Sequence, residues 1–242
     1  MGEVVASVII PATRPEGLTK ALQSLEAAFA GISYEVLIAD STLEGLPVTE
    51  WGLGDYHTEY IFRDWPRRGC IRAMNDLWRR SKGVYLVPFS DDAIARPGSF
   101  HRGITKMENE AIDLGQCYFD EGGGCQIVRD CANFPILRNE FMEALGGFNE
   151  VYTQYDLDAE LYYVAMDRGA KVRALTGCCL IHERPTDEVR DGNRQALDID
   201  FRTFTERWDA KKPEIHAKSL ALRDLDGPLI CPYHMDDDPI GK

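Results

Sequence analysis

Two adjacent aspartates, Asp91 and Asp92, follow the run VYLVPFS at 84–90, whose apolar and β-branched residues are typical of a buried strand. Carboxylate oxygens at a strand end are ligands that Mg²⁺ and Mn²⁺ prefer in proteins. A cation held there stabilises the negative charge that grows on a departing diphosphate. An Asp-Asp pair after a strand is also a common turn sequence, so the pair alone does not decide between the two interpretations.

A second group of titratable residues lies further along the chain. Asp158 falls in the first turns of a predicted helix, where the positive end of the helix dipole keeps a carboxylate ionised and able to accept a proton. Asp156 and Glu160 are close enough in sequence to share that role, although acids at a helix start also simply complement the dipole. His182 follows a predicted strand, and a histidine with a purely structural role would give the same pattern.

The elements that position these residues alternate between strands and helices. Leucines at helical spacing after Pro15 predict a helix, for which Thr13 and Glu16 are spaced as a capping box. The predicted strands are 4–10, 34–40, 58–63 and 84–90, and a second helix is predicted near 69–80. This order predicts an α/β fold with a Rossmann-like, mostly parallel sheet, within one domain that covers 1–185.

A sheet of this kind binds ligands in a crevice at the carboxyl ends of its strands. Five residues follow or end the first two strands at that edge: Pro11, Ala12, Thr13, Arg14 and Asp40. We expect them to form the nucleotide side of a crevice that also contains the aspartate pair after the fourth strand.

The second half of the chain predicts a mixed arrangement of shorter elements. Helices are predicted from Pro97, at 139–145 and at 153–169, short antiparallel strands at 117–119, 125–128 and 134–137, and closing strands at 171–175 and 178–182. The three glycines at 122–124 are interpreted as a hairpin turn. Residues 186–242 are predicted to form a helical extension packed on the same domain, with one apolar stripe (Leu197, Phe201, Phe204 and Trp208) and a loose tail at 234–242.

Composition excludes some classes of protein and partner. The formal net charge of −13 repels a phosphate backbone, so nucleic acid is not expected as a partner. The apolar runs are far shorter than the ~20 residues of a transmembrane helix, and the N-terminus lacks the basic region of a signal peptide, so we expect a cytoplasmic protein. The seven cysteines form no CxxC pair, which favours reduced thiols over a disulfide framework or a zinc site.

An ordered set of motifs resembles the family 2 inverting glycosyltransferases of the GT-A fold, over about residues 4–183. SVIIPATRP resembles the first strand and donor-binding turn of that family, and IADS resembles the segment whose aspartate, here Asp40, contacts the nucleotide. RGCIRAMND is similar to the helix start that implies donor contacts for Arg72 and Asn75. SDDAIARPG resembles the metal-binding region, which implies Asp92 as a ligand and places Asp91 at the nucleotide-sugar, with Ala93 where a third acid is usual.

The later motifs resemble the acceptor side of the same family. The segment 133–150 is similar to the part that lines the acceptor site, and LDAEL resembles the motif whose aspartate, here Asp158, is the catalytic base. Leu157 replaces the glutamate that usually precedes this base. LIHER is similar to the segment with a late metal-binding histidine, which implies His182 as the second ligand.

The resemblance implies transfer of a sugar from a nucleotide-diphosphate donor to an acceptor hydroxyl, with inversion and with Mn²⁺ or Mg²⁺ as cofactor. It implies a glycan or lipid-linked glycan acceptor, in surface polysaccharide or glycan synthesis. A sugar-phosphate nucleotidyltransferase remains an alternative, although PATRPEG is a poor match to the phosphate loop expected of that class. A non-catalytic nucleotide-sugar-binding homologue also stays open because of Leu157 and Ala93, and the sequence does not decide between a monomer and a homodimer.

Overall fold

The computed structural model of the chain describes residues 4–46, 58–128 and 130–226. The strands are β1 (Ala6–Ala12), β2 (Tyr34–Asp40), β3 (Thr58–Arg63), β4 (Tyr85–Pro88), β5 (Ala93–Ala95), β6 (Leu114–Asp120), β7 (Pro135–Arg138) and β8 (Val172–His182). The helices are α1 (Pro15–Phe29), α2 (Cys70–Trp78), α3 (Ser99–Glu110), α4 (Asn139–Leu145), α5 (Leu157–Asp167), α6 (Glu188–Gly192), α7 (Arg194–Trp208) and α8 (Lys212–Asp226).

These strands form one sheet in the order β3-β2-β1-β4-β7-β6-β8-β5. The first four are mutually parallel, as in a Rossmann-like half-sheet. β7 then runs antiparallel to both β4 and β6, β8 runs parallel to β6, and β5 closes the far edge antiparallel to β8. The predicted α/β class, with a parallel half followed by a mixed half, is confirmed.

Helices cover both faces of the sheet, which explains why the first strands are apolar without alternation. Successive side chains of a strand point to opposite faces. Val8 and Ile10 therefore belong to the same buried cluster as Leu22 of α1, whereas Ile9 belongs to the cluster that contains Ile71 of α2. The turns after β1, β2 and β4 meet at the sheet's carboxyl edge, between these layers.

Two strand predictions are wrong. The predicted closing strands at 171–175 and 178–182 form a single strand, β8, whose pairing with β6 jumps from Ala174 to Cys179. Gly177 has a φ of 85°, a conformation that glycine adopts freely, and it lets the intervening residues bulge out of the ladder. The predicted strand at 125–128 contributes one bridge, between Gln126 and Phe119.

Two helix starts also differ from prediction. The capping box is wrong: Arg14 is the N-cap of α1 and makes no side-chain capping bond. The hydroxyl of Thr13 donates to Asp91 instead. The helix predicted from residue 153 starts at Leu157, because the backbone N–H groups of 153–155 bond to Asp200 rather than continuing a helical ladder.

The C-terminal helices pack against α5, but the predicted apolar stripe is only partly correct. Trp208 is buried, and Phe204 packs against the same cluster. Leu197 and Phe201 are exposed, and the buried residue at that level of α7 is Asp200. The predicted tail at 234–242 lies outside the described residues.

The cysteines do not all carry free thiols. Cys125 and Cys179 form a disulfide, so the prediction of reduced thiols is wrong for this pair. Sequence spacing hides the pairing because the bridge between Phe119 and Gln126 is what folds Cys125 back beside β8. Of the helices in the described ranges, none combines the length and apolar character needed to cross a bilayer.

Candidate active site

The turn after β1 is built around Asp91. Its carboxylate is 3% exposed and accepts hydrogen bonds from the N–H groups of Thr13 (2.5 Å) and Arg14 (2.7 Å). The Thr13 hydroxyl and the Arg14 guanidinium donate to it as well, at 2.9 and 3.0 Å. Gly17 lets α1 approach, since a Cβ there would lie 2.1 Å from the Asp91 carbonyl oxygen. Asp91 therefore shapes the turn at Thr13 and Arg14. This turn and Pro11 line a crevice at the carboxyl edge of the sheet.

Asp92 faces His182 because of a short strand that the sequence analysis missed. β5 pairs with β8 in the register that sets Ala93 opposite His182, and the Glu183 N–H donates to the Asp92 carbonyl oxygen at 2.9 Å. Nε2 of His182 lies 3.6 Å from Oδ1 of Asp92. Nδ1 lies 2.9 Å from Oε1 of Glu121, on the turn after β6. Ala93, which stands where the family that the sequence resembles usually has a third acid, is the first residue of β5.

The electrostatics around Asp92 favour its ionised form. Burial raises the pKa of Asp92, but a protonated His182, the Ser90 hydroxyl and the charge of Arg14 together outweigh burial and lower it to about 2. When the ring of His182 is neutral and Nδ1 donates to Glu121, the Nε2 lone pair faces Asp92. A carboxylate behind a histidine is the usual support of a metal-binding imidazole.

This pair fits a divalent cation in part. An ionised oxygen ligand and an oriented imidazole nitrogen are a donor set that Mn²⁺ accepts. Within the ranges that the structure describes, no three His, Cys, Asp or Glu side chains are grouped to hold a metal. A cation at Asp92 and His182 therefore needs further ligands from bound substrate or water.

Residues after β2 and β3 form the opposite wall of the crevice. Ser41, Asp64 and Arg67 line it, and the Asp64 carboxylate accepts from Arg68 Nε at 2.6 Å and from the Ser41 hydroxyl at 3.2 Å. No sequence motif marks these residues as part of a site, although Asp64 directly follows a correctly predicted strand. Asp40 is buried and does not line this crevice.

The Asp40 carboxylate instead organises the loop after β2. It accepts from the N–H and hydroxyl of Thr42, the N–H of Leu46 and the Arg63 guanidinium, at 2.6–3.0 Å. Burial raises the pKa of Asp40, but these hydrogen bonds outweigh it and lower the pKa. The main-chain carbonyl of Ala12 is likewise engaged, accepting from the Ser41 N–H at 2.8 Å.

Arg72 and Asn75 are not brought into the crevice. Arg72 is exposed, and its Nε atom lies 3.6 Å from Oε2 of Glu150. Asn75 is buried: its amide donates to the Phe148 carbonyl and to Glu150, and its carbonyl accepts from the Phe148 N–H. In this structure Asn75 joins α2 to the segment before α5.

The segment after β8 covers part of the crevice. Asp187, the N-cap of α6, accepts from Arg14 Nε at 2.5 Å and from the second guanidinium nitrogen at 3.1 Å. Arg190 lines the crevice, and no ion pair of its guanidinium occurs with the described residues. Arg14, Arg67 and Arg190 thus supply positive charge to a cavity whose other ionisable groups are mainly acidic.

A second cavity adjoins the crevice and contains Asp158. Oδ2 of Asp158 accepts from the Asn133 amide at 2.5 Å and from the Cys131 thiol at 3.0 Å. Burial and the nearby charge of Asp158 raise the pKa of the Cys131 thiol, which stays protonated. The rest of the lining is mainly apolar and aromatic: Met74, Phe89, Phe134, Pro135, Phe148, Leu157 and Leu161.

The neighbouring acids of Asp158 are placed differently. Asp156 lines the same cavity, has a φ of 58°, and carries a buried Oδ2 atom without a hydrogen bond. Burial, with the charges of Asp158 and Asp200, raises the pKa of Asp156 to about 6. Glu160 does not line the cavity, because its buried carboxylate is bonded to side chains that include Tyr152 and Trp208.

No protein-family model and no curated protein matches the sequence, whereas solved structures do. The mannosyltransferase PcManGT from Pyrobaculum calidifontis, in complex with GDP-Man and Mn²⁺, matches with a TM-score of 0.61 at 15% identity, over 93% of this chain and 65% of that one. TarS 1–349 from S. aureus with UDP-GlcNAc matches with a TM-score of 0.61 at 14% identity, over 77% and 61%. GalNAc-T7 with UDP, GalNAc and Mn²⁺ matches with a TM-score of 0.59 at 14% identity, over 74% and 44%.

The chain thus spans less than two thirds of each of these proteins. At such identities the likeness establishes the architecture. The fold is the GT-A type of the nucleotide-diphospho-sugar transferases, as the sequence predicts.

Proposed function

We propose that this protein is a metal-dependent, inverting glycosyltransferase that moves a sugar from a nucleotide-diphosphate donor to an acceptor hydroxyl. One observation carries the proposal: the two cavities meet at Phe89, Ser90 and His182. The crevice on one side of this junction contains the Asp92–His182 pair, and the cavity on the other side contains the Asp158 carboxylate.

The crevice suits a nucleotide diphosphate. Asp92 and His182 would hold Mn²⁺ or Mg²⁺, which would supply positive charge for the departing diphosphate. Arg190, whose guanidinium has no ion pair with the described residues, lines the crevice and can donate to phosphate oxygens. Arg14 lines the crevice beside it and adds positive charge. Ser41 and Asp64 also line the crevice and would be the polar groups that contact ribose or base.

Asp158 would act as the base. Its carboxylate would accept the acceptor's proton while the acceptor oxygen bonds to the anomeric carbon. The bond between that carbon and the diphosphate oxygen would break, and its electron pair would leave with the diphosphate. Attack from the side opposite the leaving group inverts the anomeric configuration. Asn133 and Cys131 keep the carboxylate in place through their bonds to Oδ2.

The structural neighbours support the ligand class. GDP-Man with Mn²⁺, UDP-GlcNAc, and UDP with Mn²⁺ are bound by proteins of the same fold. The apolar and aromatic lining beside Asp158 suits the non-polar face of a sugar ring or the lipid end of an acceptor. We therefore propose a glycan or lipid-linked glycan acceptor, as used in surface polysaccharide synthesis.

A donor panel tests the proposal. The protein would be incubated with UDP- and GDP-sugars, Mn²⁺ and an acceptor library, with the EDTA-treated protein as control. We expect release of UDP or GDP that depends on both metal and acceptor. Pyrophosphate released from a nucleoside triphosphate and a sugar phosphate would instead indicate a nucleotidyltransferase. Donor binding in calorimetry without turnover across the panel would indicate a non-catalytic homologue.

A further inference from the structure

Asp200 is a buried carboxylate on an otherwise exposed stretch of helix. Its exposed fraction is 0%, whereas Ile199 and Phe201 on either side are 59% and 60% exposed. A buried aspartate is rare unless its charge is compensated. Here three backbone N–H groups do so: Thr153 donates to Oδ1 at 3.0 Å, and Gln154 and Tyr155 donate to Oδ2 at 2.8 Å each.

The loop held in this way forms part of both cavities. Thr153, Gln154 and Tyr155 line the crevice, and the last two also line the cavity that contains Asp158. The loop leads directly into α5, where Asp158 lies in the first turn.

The same loop also contacts the start of α2. The Thr153 carbonyl accepts from the Ile71 N–H at 3.4 Å. Gly69 has a φ of 101°, and a Cβ at that position would lie 3.0 Å from Thr153. The loop is therefore fixed between α2 and α7, and the contact on the α7 side is Asp200.

We propose that Asp200 is a positioning residue for sugar transfer: from the C-terminal extension, it sets the 153–155 loop, which lines both the crevice and the cavity that contains Asp158. The proposal rests on the proposed function. Asp200 contacts neither cavity itself, so its effect passes through the backbone that it orders. The segment 186–226 thereby orders a loop of the site, in addition to covering part of the crevice.

A purely structural role would give a different pattern, because α7 has other attachments. Trp208 donates to Glu160 through its indole nitrogen, and Arg207 Nε lies 3.0 Å from the same carboxylate. Both contacts lie at the C-terminal end of α7, about two turns after Asp200. If Asp200 served only to dock α7, replacing Asp200 and replacing Arg207 would have the same effect on kcat and KM.

The test compares Asp200→Asn with two controls on the same helix. Asp198→Asn removes an exposed acid two residues away, and Arg207→Gln removes the other anchor. Amide hydrogen exchange would be followed at 153–155. The kcat and KM for hydrolysis of a UDP- or GDP-sugar with Mn²⁺ would be measured well below each melting temperature, so that only folded protein is compared.

We expect faster exchange at 153–155 and a fall in kcat of at least about tenfold in Asp200→Asn, since small misplacements of reacting groups are costly. Both controls should keep wild-type kcat and KM. If Asp200→Asn does not fold, Asp200→Glu keeps the charge but displaces it by one methylene, and the same result is expected. Unchanged kcat and KM in an Asp200 variant, or an equal loss in Arg207→Gln, would overturn the proposal. A wild-type protein that turns over no donor would instead refute the proposed function and, with it, this inference.

Discussion

His182 and Asp92 face each other at 3.6 Å, measured from Nε2 to Oδ1, because β5 and β8 pair with Ala93 opposite His182. The distance is too long for a hydrogen bond, but short enough for one cation to contact both atoms. Glu121 holds the opposite ring nitrogen at 2.9 Å. Two segments that are 90 residues apart in sequence thus combine into one candidate cation site.

Removal of either facing group should abolish metal-dependent nucleotide binding. We expect Asp92→Asn and His182→Ala to bind UDP or GDP with the same affinity in Mn²⁺ and in EDTA, as measured by calorimetry. His216→Ala is the matched control, because that histidine pairs with Asp130 and lines neither cavity. Glu121→Gln should weaken Mn²⁺ binding by about 10–100-fold, the usual effect of losing a carboxylate behind a metal-binding histidine. If EDTA leaves nucleotide affinity of the wild type unchanged, the metal assignment is wrong.

Loss of Asp91 should reduce stability as well as nucleotide affinity. Asp91→Ala leaves the two N–H groups of the 13–14 turn without their acceptor, so we expect the free energy of unfolding to fall by about 2–4 kcal/mol. Thr13→Val removes one hydroxyl donor and should cost about 1 kcal/mol. Urea unfolding of both variants measures these changes. An Asp91→Ala protein as stable as the wild type would show that the turn does not depend on this carboxylate.

Asp156 should make the protein less stable as the pH rises. Its pKa is about 6 in the folded protein, against 3.8 for an ordinary aspartate, so the folded state binds its proton more tightly. The resulting stability is fully present below pH 4 and is lost as the pH rises through 6. Allowing for partial exposure, the loss is on the order of 2 kcal/mol.

The Asp156→Asn variant tests this pH dependence. We expect it to be more stable than the wild type at pH 7.5, with a difference that shrinks towards pH 4, in urea unfolding at several pH values. Asparagine tolerates the positive φ at this position. The exposed Asp198→Asn serves as control. A difference of the same size at every pH would contradict the assigned pKa.

The features that depend on the sequence close by, namely strands, helix starts and the turns after strands, could be predicted. The strands β1, β2 and β4 are mainly apolar because helices cover both faces of the sheet, and the carboxyl ends of the parallel strands follow from their direction. The turn at Thr13 and Arg14, the Asp91–Asp92 pair and the position of Asp158 at a helix start could therefore be located in advance.

Contacts between distant segments could not be predicted in this way. β5 has only three residues and exists because β8 lies beside it, so no periodicity marks it. Glu121 and Asp200 become important only through backbone groups and side chains far away in sequence. Asp40 and Asn75 were predicted as donor contacts, but their hydrogen bonds to Thr42 and Phe148 depend on loop geometry that spacing does not reveal.

Asp158 should be the group that accepts the proton of the acceptor hydroxyl. Asp158→Asn keeps the size of the side chain but removes the negative charge and the capacity to take a proton, so kcat for transfer should fall by about 10²–10⁴-fold. Donor affinity should change little, because Asp158 does not line the crevice. Asp156→Asn is the matched comparison: it lies in the same cavity, and we expect a smaller fall in kcat. Stopped assays of donor consumption give kcat, and NMR of the anomeric proton gives the configuration of the product. Full activity in Asp158→Asn would move the base to another residue, and a product with retained configuration would exclude a single inverting displacement.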